Sequence, residues 1–230
     1  MMSPREQLDV LFEDNHLLAV NKPAGLATMG VAADRPSVLS VSKDYIGRKY
    51  QKPGNVYLGV VSRLDAPVTG VLLMARTTKA AGRLNQQFRE HRVEKVYWAV
   101  VEGEVEVDEQ RLIHYLRKDE RHRKMHTTSA NTPGAVEAVL GFRSLNRSHG
   151  HTWLEVFPQT GRKHQIRVQL AKIGHPILGD RKYGSRVAWA KGIALHAHRL
   201  VIEHPVKKTA TEFQAELPSS WKHLKVIARP

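Results

Sequence analysis

Three groups of side chains in this sequence are able to do chemistry. The first is a lone acid in Ser62-Arg63-Leu64-Asp65-Ala66-Pro67-Val68-Thr69-Gly70. The apolar run Tyr57-Leu58-Gly59-Val60-Val61 precedes it, and Val71-Leu72-Leu73-Met74-Ala75 follows. An acid on a turn between two such runs stands where a rigid scaffold presents it to a substrate. Asp also forms turns through bonds to its own backbone, so a plain turn fits the segment as well. The second group is Pro158-Gln159-Thr160-Gly161-Arg162-Lys163-His164-Gln165-Ile166-Arg167. A tight turn there leads into a helix predicted over 163–173, with Arg162, Lys163, His164 and Arg167 at its start. Cations at a helix N-terminus oppose the macrodipole unless they face an anion, which the N–H groups also attract. Phosphate or carboxylate binding and solvated surface charge both fit. The third is Tyr97-Trp98, which point to opposite faces of a predicted strand. They read as core aromatics or, in a basic protein, as a platform for a nucleobase.

Other chemistries find little support. There is no phosphate-binding glycine loop ending in Lys-Ser/Thr and no dinucleotide GxGxxG pattern. With no cysteine, disulfides, thiol nucleophiles and thiolate zinc sites are excluded. His122 and His126 have i,i+4 spacing, but they lie in a Lys/Arg-rich run that repels a divalent metal. No metal site is expected. Without a metal, a paired acid or a hydroxyl nucleophile with a base, hydrolysis is weakly supported.

The chain carries 36 Lys+Arg against 22 Asp+Glu, a formal charge of +14. Such a field attracts polyanions, and nucleic acid is the leading partner. An acidic lipid surface, or charge serving solubility alone, fits the same number. The basic residues are spread through the chain, which favours a charged groove on a fold over a disordered arm. The 230 residues and 41% hydrophobic content suit a full core. No apolar run approaches a membrane span, and the first residues lack the apolar core of a signal peptide. A cytoplasmic protein is expected.

The elements that must position these groups are mostly strands. Segments 8–12 and 17–20 read as strands about a turn at Glu13-Asp14-Asn15. Ser37 caps a helix to about Ile46, and Thr77 or Thr78 caps another to about His91. Gly47–Asn55 reads as a basic loop and Gly30–Arg35 as a mobile segment. Segment 95–101 reads as a buried strand and the charge run 117–124 as a solvated loop. Segments 136–145 and 152–157 form an antiparallel pair, and Gly174 stops the 163–173 helix. Strands over 196–202 and 210–217 and a short helix from Ser219-Ser220 end the chain. This pattern gives an α+β fold with a largely antiparallel sheet, read as one continuous domain over 1–230.

Together these segments resemble the RluA-type family of RNA pseudouridine synthases, and the likeness covers most of the chain. It rests on Arg63-Leu64-Asp65-Ala66-Pro67-Val68-Thr69-Gly70, on Lys95-Val96-Tyr97-Trp98-Ala99-Val100-Val101-Glu102-Gly103, and on Thr160-Gly161-Arg162-Lys163-His164-Gln165-Ile166-Arg167. Gly174-His175-Pro176-Ile177-Leu178-Gly179-Asp180, Asn21-Lys22-Pro23-Ala24-Gly25 and His204-Pro205 add to it. The order and spacing of these matches carry the resemblance.

The resemblance implies a pseudouridine synthase fold, a mixed and mostly antiparallel sheet with a central catalytic cleft. It implies an isomerase that converts uridine in ribosomal or transfer RNA to pseudouridine without a cofactor. Asp65 matches the catalytic aspartate, which either attacks C1′ or removes the C2′ proton. Arg167 matches its basic partner, expected within hydrogen-bond or ion-pair reach, where a cation favours the ionised acid. Tyr97 matches a tyrosine that stacks on the base and assists loss of the C5 proton. Arg63 fills the gap left by a flipped base. Leu195 walls the pocket, and Arg162 belongs to the substrate-binding set. Ser62, Val68-Thr69, Lys163 and Gln169 depart from common family residues, yet the acid, tyrosine and arginine remain. No separate N-terminal RNA-binding module, protein partner or membrane is implied, and a monomer is expected. The alternatives are a non-catalytic RNA-binding or ribosome-assembly factor on the same fold and, more remotely, a nuclease.

Overall fold

Seven consecutive buried residues, Thr69–Ala75, make the most apolar strand of the protein. Such a run, apolar without alternation, is buried on both faces and takes a central place in a sheet. The computed structural model describes residues 8–32, 34–122, 124–189 and 191–227. The opening heptapeptide, Ala33 of the Gly30–Arg35 loop and Arg123 of the charge run lie outside the described residues. The chain divides into two compact units, Met1–Glu94 with Ala197–Glu216, and Lys95–His196 with Leu217–Pro230.

In the first unit, β1 (Val10–Glu13) and β2 (Leu17–Lys22) precede α1 (Val38–Lys49). They are followed by β3 (Gly59–Val60), β4 (Thr69–Ala75) and α2 (Thr78–Arg89). β10 (Leu195–Glu203) and β11 (Ala210–Gln214) complete it, the first two residues of β10 belonging to the other unit. The strand order is β1-β2-β4-β10, with β11 on β10 and β3 on β4. The β1–β2, β2–β4, β3–β4 and β10–β11 ladders are antiparallel. Leu84, Ala80 and Ala81 of α2 pack in one cluster with Leu17, Ala19, Leu73 and Phe213. Ser37 caps α1 in a reciprocal box with Ser40, and Thr77 caps α2, as the sequence predicts.

One glycine is dictated by the approach of another strand. Gly70 has φ +109°, and a Cβ there would lie 2.2 Å from the Ala197 carbonyl oxygen. Only glycine combines that backbone conformation with that approach.

The second unit holds β5 (Glu94–Glu102, its first residue belonging to the other unit), β6 (Glu109–Asp119), β7 (Lys124–Thr128), β8 (Val136–Ser148), β9 (His151–Pro158) and α3 (Gln165–Lys172). Its strand order is β5-β9-β8-β6-β7, antiparallel throughout. The β8–β9 pair turns on His149 and Gly150, both in the left-handed region at φ 57° and 71°, as a tight right-twisting hairpin requires. The short terminal helix is a single 3-10 turn, Ser219–Trp221. The molecule is therefore an α+β protein built on mostly antiparallel strands.

Two expectations are corrected. The charge run 117–124 is not a loop: Arg117, Lys118 and Asp119 pair with His126, Met125 and Lys124 in the β6–β7 hairpin. Leu116 and Met125 are buried beside them, while Arg117 and Lys118 are exposed. A ladder of backbone bonds is indifferent to exposed charge on the side chains, so the charge run hid a strand. The 163–173 helix begins later, at Gln165. His164 sits in the left-handed region, φ 54°, and Arg162 and Lys163 precede the helix.

Candidate active site

Asp65 lies on the loop between β3 and β4, half-buried, with Arg63 exposed and Leu64 buried beside it. The loop is held from both sides of the acid by the end of β2 and the segment after it. The Thr28 hydroxyl donates to the Leu64 carbonyl at 2.8 Å and accepts the Leu64 N–H at 3.1 Å. The Ala66 carbonyl accepts the Gly25 N–H at 2.8 Å and the Lys22 ammonium at 3.0 Å. The Val68 N–H closes the turn on the Asp65 carbonyl at 3.0 Å. Each bond is worth only about 0.5–1.5 kcal/mol, but together they fix the residues flanking the acid.

Lys22 is fully buried. Its ammonium also donates to the Pro23 carbonyl at 2.8 Å. Burial pushes its pKa down to about 7, against the opposite pull of the Asp65 carboxylate.

The second unit holds the arginine differently. Arg167, in the first turn of α3, is buried and clamps Asp180 through two parallel bonds, Nε to Oδ2 at 2.6 Å and Nη2 to Oδ1 at 2.8 Å. Its guanidinium carbon lies 5.0 Å from the centre of the Tyr183 ring. The Tyr183 hydroxyl accepts the Met125 N–H at 2.9 Å and meets His164 Nδ1 at 2.7 Å. The turn before α3 is closed by Gln165. Its Oε1 accepts from the Thr160 hydroxyl and the Arg162 N–H, and its Nε2 donates to the Val139 carbonyl.

The other expected residues fall in the same unit as Arg167. Tyr97 is half-buried on β5, opposite Val156 of β9. Trp98 points the other way, donating to Glu155 at 3.4 Å and meeting Trp153 edge to face. Arg162 is exposed, with its Nε on the Glu137 carbonyl at 2.9 Å. Leu195 opens β10 and is buried. Asp65 and Arg63 belong to the first unit and Tyr97, Arg162, Arg167 and Leu195 to the second. Among the described residues, no group of three or more His, Cys, Asp or Glu side chains is placed to hold a metal ion. None of the described helices is long and apolar enough to cross a membrane.

Sequence reasoning missed three supports. Lys22, Thr28 and Asp180 carry no spacing signal, since their partners lie 44, 36 and 13 residues away. Lys22 and Asp180 do stand in runs that carry the family likeness, Asn21-Lys22-Pro23 and Leu178-Gly179-Asp180.

The chain is similar to known proteins along most of its length. The family model described as RNA pseudouridylate synthase matches residues 16–172. Ribosomal large subunit pseudouridine synthase D of Yersinia pestis is 32% identical over 241 residues, covering 96% of this chain and 71% of that protein. tRNA pseudouridine synthase C of Salmonella typhimurium is 33% identical over 236 residues, covering 93% of this chain and 87% of that protein. Among solved structures, human RNA pseudouridylate synthase domain containing 4 aligns with a TM-score of 0.76 at 25% identity, over 93% of this chain and 92% of that one.

Proposed function

The chain belongs to the RNA pseudouridylate synthase family and is an RNA-modifying isomerase, and from that premise we propose that Asp65 is its catalytic acid, acting on uridine in ribosomal or transfer RNA. The observation that carries this reading is the Asp65 loop. A half-buried carboxylate is flanked by two residues, Leu64 and Ala66, whose backbone groups are pinned by Thr28, Gly25 and Lys22. That is the preorganisation a reacting group needs. The two RNA classes follow from the relatives, one named for the large ribosomal subunit and one for tRNA.

In this reaction the N1–C1′ bond of the uridine breaks and a C5–C1′ bond forms. C5 loses its proton and N1 gains one, so no redox partner is needed. Asp65 starts the reaction as a carboxylate, at C1′ as a nucleophile or at C2′ as a base. Tyr97 supports the detached base, and its hydroxyl assists departure of the C5 proton. Arg167 is the acid's basic partner. Arg63, exposed beside the acid, fills the stack when the uridine flips out. Leu195 gives an apolar wall, and the exposed Arg162 meets a phosphate. The chain acts as one catalytic domain over 1–230, as a monomer in the cytoplasm.

Tritium release from RNA labelled at C5 of uridine tests the reading, with RNA from cells lacking this protein. Asp65→Asn is expected to lower turnover by about 10²–10⁴-fold while RNA binding persists. Turnover near wild type would remove Asp65 from the mechanism. RNA binding is assigned to the basic segments Gly47–Asn55 and Arg117–Lys124. Reversing Lys49 and Lys52, or Arg117 and Lys118, should weaken binding and reduce the salt slope by about one for each phosphate no longer neutralised. An unchanged slope would place the RNA on another face.

A further inference from the structure

The two side chains that flank the Arg167 guanidinium come from one short loop. Asp180 takes its fork, and the Tyr183 ring lies beside it. A loop is a poor support unless its own backbone is fixed. This one is closed on itself. The Gly179 N–H donates to the Ser185 hydroxyl at 2.9 Å, and the Ser185 N–H donates to the Asp180 carbonyl at 3.1 Å. The 3-10 turn Arg181–Tyr183 lies between these ties, and Gly184 leaves it in the left-handed region at φ 100°. The closed loop is then anchored from outside by Glu102, the last residue of β5. One carboxylate oxygen, Oε1, accepts from the Ser185 hydroxyl, from the Arg186 N–H at 2.9 Å and from the Val187 N–H at 3.3 Å. The backbone of Glu102 is itself held. Its N–H donates to the Pro176 carbonyl at 2.9 Å, and its carbonyl meets His175 Nδ1 at 2.9 Å.

We propose that Glu102 is a positioning residue for Arg167: its carboxylate bolts the loop from Gly179 to Val187 onto the end of β5, and so fixes Asp180 and Tyr183, which hold the guanidinium. This deepens the reading of Arg167 as the acid's basic partner and rests on it. Glu102 acts through the loop and does not itself touch the substrate. Charge matters here as well as geometry. A hydrogen bond to an ionised acceptor is about twice as strong as a neutral one, so a carboxylate gathers three donors firmly. Ser185 is the joint. Its hydroxyl receives the Gly179 N–H while giving its proton to Glu102, so the tie that closes the loop and the bolt that anchors it share one oxygen. Loosening the bolt shifts the tie, and with it Asp180, the residue after Gly179. The guanidinium follows Asp180, because a bidentate fork fixes both distance and plane. A displacement of about 1 Å that originates far from the reacting atoms costs about 10²-fold in rate.

The test is a kcat and KM measurement by C5 tritium release for wild type, Glu102→Leu, Glu102→Gln, Ser185→Ala and Arg167→Gln, with RNA affinity and urea unfolding measured on the same preparations. Glu102→Leu keeps the size of the side chain and removes all three bonds. Glu102→Gln keeps a neutral acceptor in the place of Oε1. The expected result is a kcat lowered about 10–100-fold in Glu102→Leu and restored to within about threefold of wild type in Glu102→Gln, with KM and RNA affinity within about twofold throughout. A wild-type kcat for Glu102→Leu, a rise in KM alone, a loss matching only the fraction of unfolded protein, or a Gln variant as slow as the Leu variant would overturn the proposal. If Glu102→Leu does not fold, Ser185→Ala opens the joint from the other side. A kcat lowered about 3–10-fold at unchanged KM then supports the bolt, and a wild-type kcat overturns it. Arg167→Gln separates this inference from its premise, since it removes the cation and keeps a donor for Asp180. If that variant turns over normally the reading of Arg167 fails, whereas a dead Arg167→Gln beside a fully active Glu102→Leu removes Glu102 alone.

Discussion

Among the described residues each unit buries one lysine or arginine, Lys22 in the first and Arg167 in the second, and the two are held in opposite ways. Arg167 meets a full countercharge: Asp180, 2% exposed, takes two of its N–H groups in a planar fork, and the Tyr183 ring lies beside it. Lys22 meets two carbonyl oxygens, with Asp65 acting on it through the field. The difference follows from the side chains. A guanidinium has a rigid fork that matches a carboxylate and does not lose its proton. An ammonium is a compact charge whose three donors turn to separate acceptors, and burial moves its pKa. Arg167 is therefore a permanent charge locked in one orientation. Lys22 is a titratable one that holds the backbone next to the acid.

The sharpest way to break this contrast is to remove one partner from each cation. Asp180→Ala strands a buried guanidinium, and it is expected to lower unfolding free energy by about 3–5 kcal/mol. Lys22→Met removes the buried charge itself along with two hydrogen bonds. The relief of desolvation offsets most of that loss, so the change is expected to stay within about 1–2 kcal/mol. Urea unfolding of both variants decides the matter. If Lys22→Met were the more damaging of the two, Lys22 would be a structural anchor first, and the contrast between the two cations would fail.

A smaller effect separates the two cations by pH. Burial lowers the Lys22 pKa from 10.5 to about 7 in the folded protein. Between these values the unfolded chain binds more protons than the native state, so stability rises with pH across that window. The slope is at most about 1.4 kcal/mol per pH unit. Below pH 7 both states carry the proton, and the slope from this group vanishes. Urea midpoints between about pH 7 and 9 should climb for wild type relative to Lys22→Met. Parallel curves would mean that the carbonyl acceptors keep the ammonium charged throughout.

The same contrast explains what is legible in the sequence. Local rules suffice wherever the partner is near in the chain. Ser37 and Thr77 announce their helices, and the β8–β9 hairpin announces itself by two strands around a polar turn. The roles proposed for Asp65, Tyr97 and Arg167 rest only on the order of separate motifs, because nothing in the Arg63–Gly70 segment alone separates a catalytic acid from a turn-forming one. The supports are not legible. Thr28 reaches Leu64 across 36 residues and Lys22 reaches Ala66 across 44, and such pairings are made by strand topology. The β6–β7 hairpin is hidden for a different reason. Its exposed charges, Arg117 and Lys118, dominate the reading of a strand whose buried face shows mainly Leu112 and Leu116.

Two helix starts repeat the contrast at its smallest scale. α1 opens on Ser37, whose hydroxyl accepts the Ser40 N–H while Ser40 answers the Ser37 N–H. α3 opens on His164 with no side-chain cap and a left-handed backbone, and its ring is spent on Tyr183 instead. The first start is tuned for the helix and the second for what lies beside Arg167. Ser37→Ala should therefore cost about 1 kcal/mol of stability with no change in kcat. His164→Gly relieves a left-handed residue worth about 1 kcal/mol and gives up one hydrogen bond of similar size. Its stability should thus stay near wild type, and its effect should emerge in turnover, through a loosened Tyr183 next to the Arg167 guanidinium. Thermal unfolding and tritium release on the two variants give a crossed pattern if this is right. A His164→Gly protein that loses stability and keeps its turnover would instead make His164 a helix-start residue like Ser37.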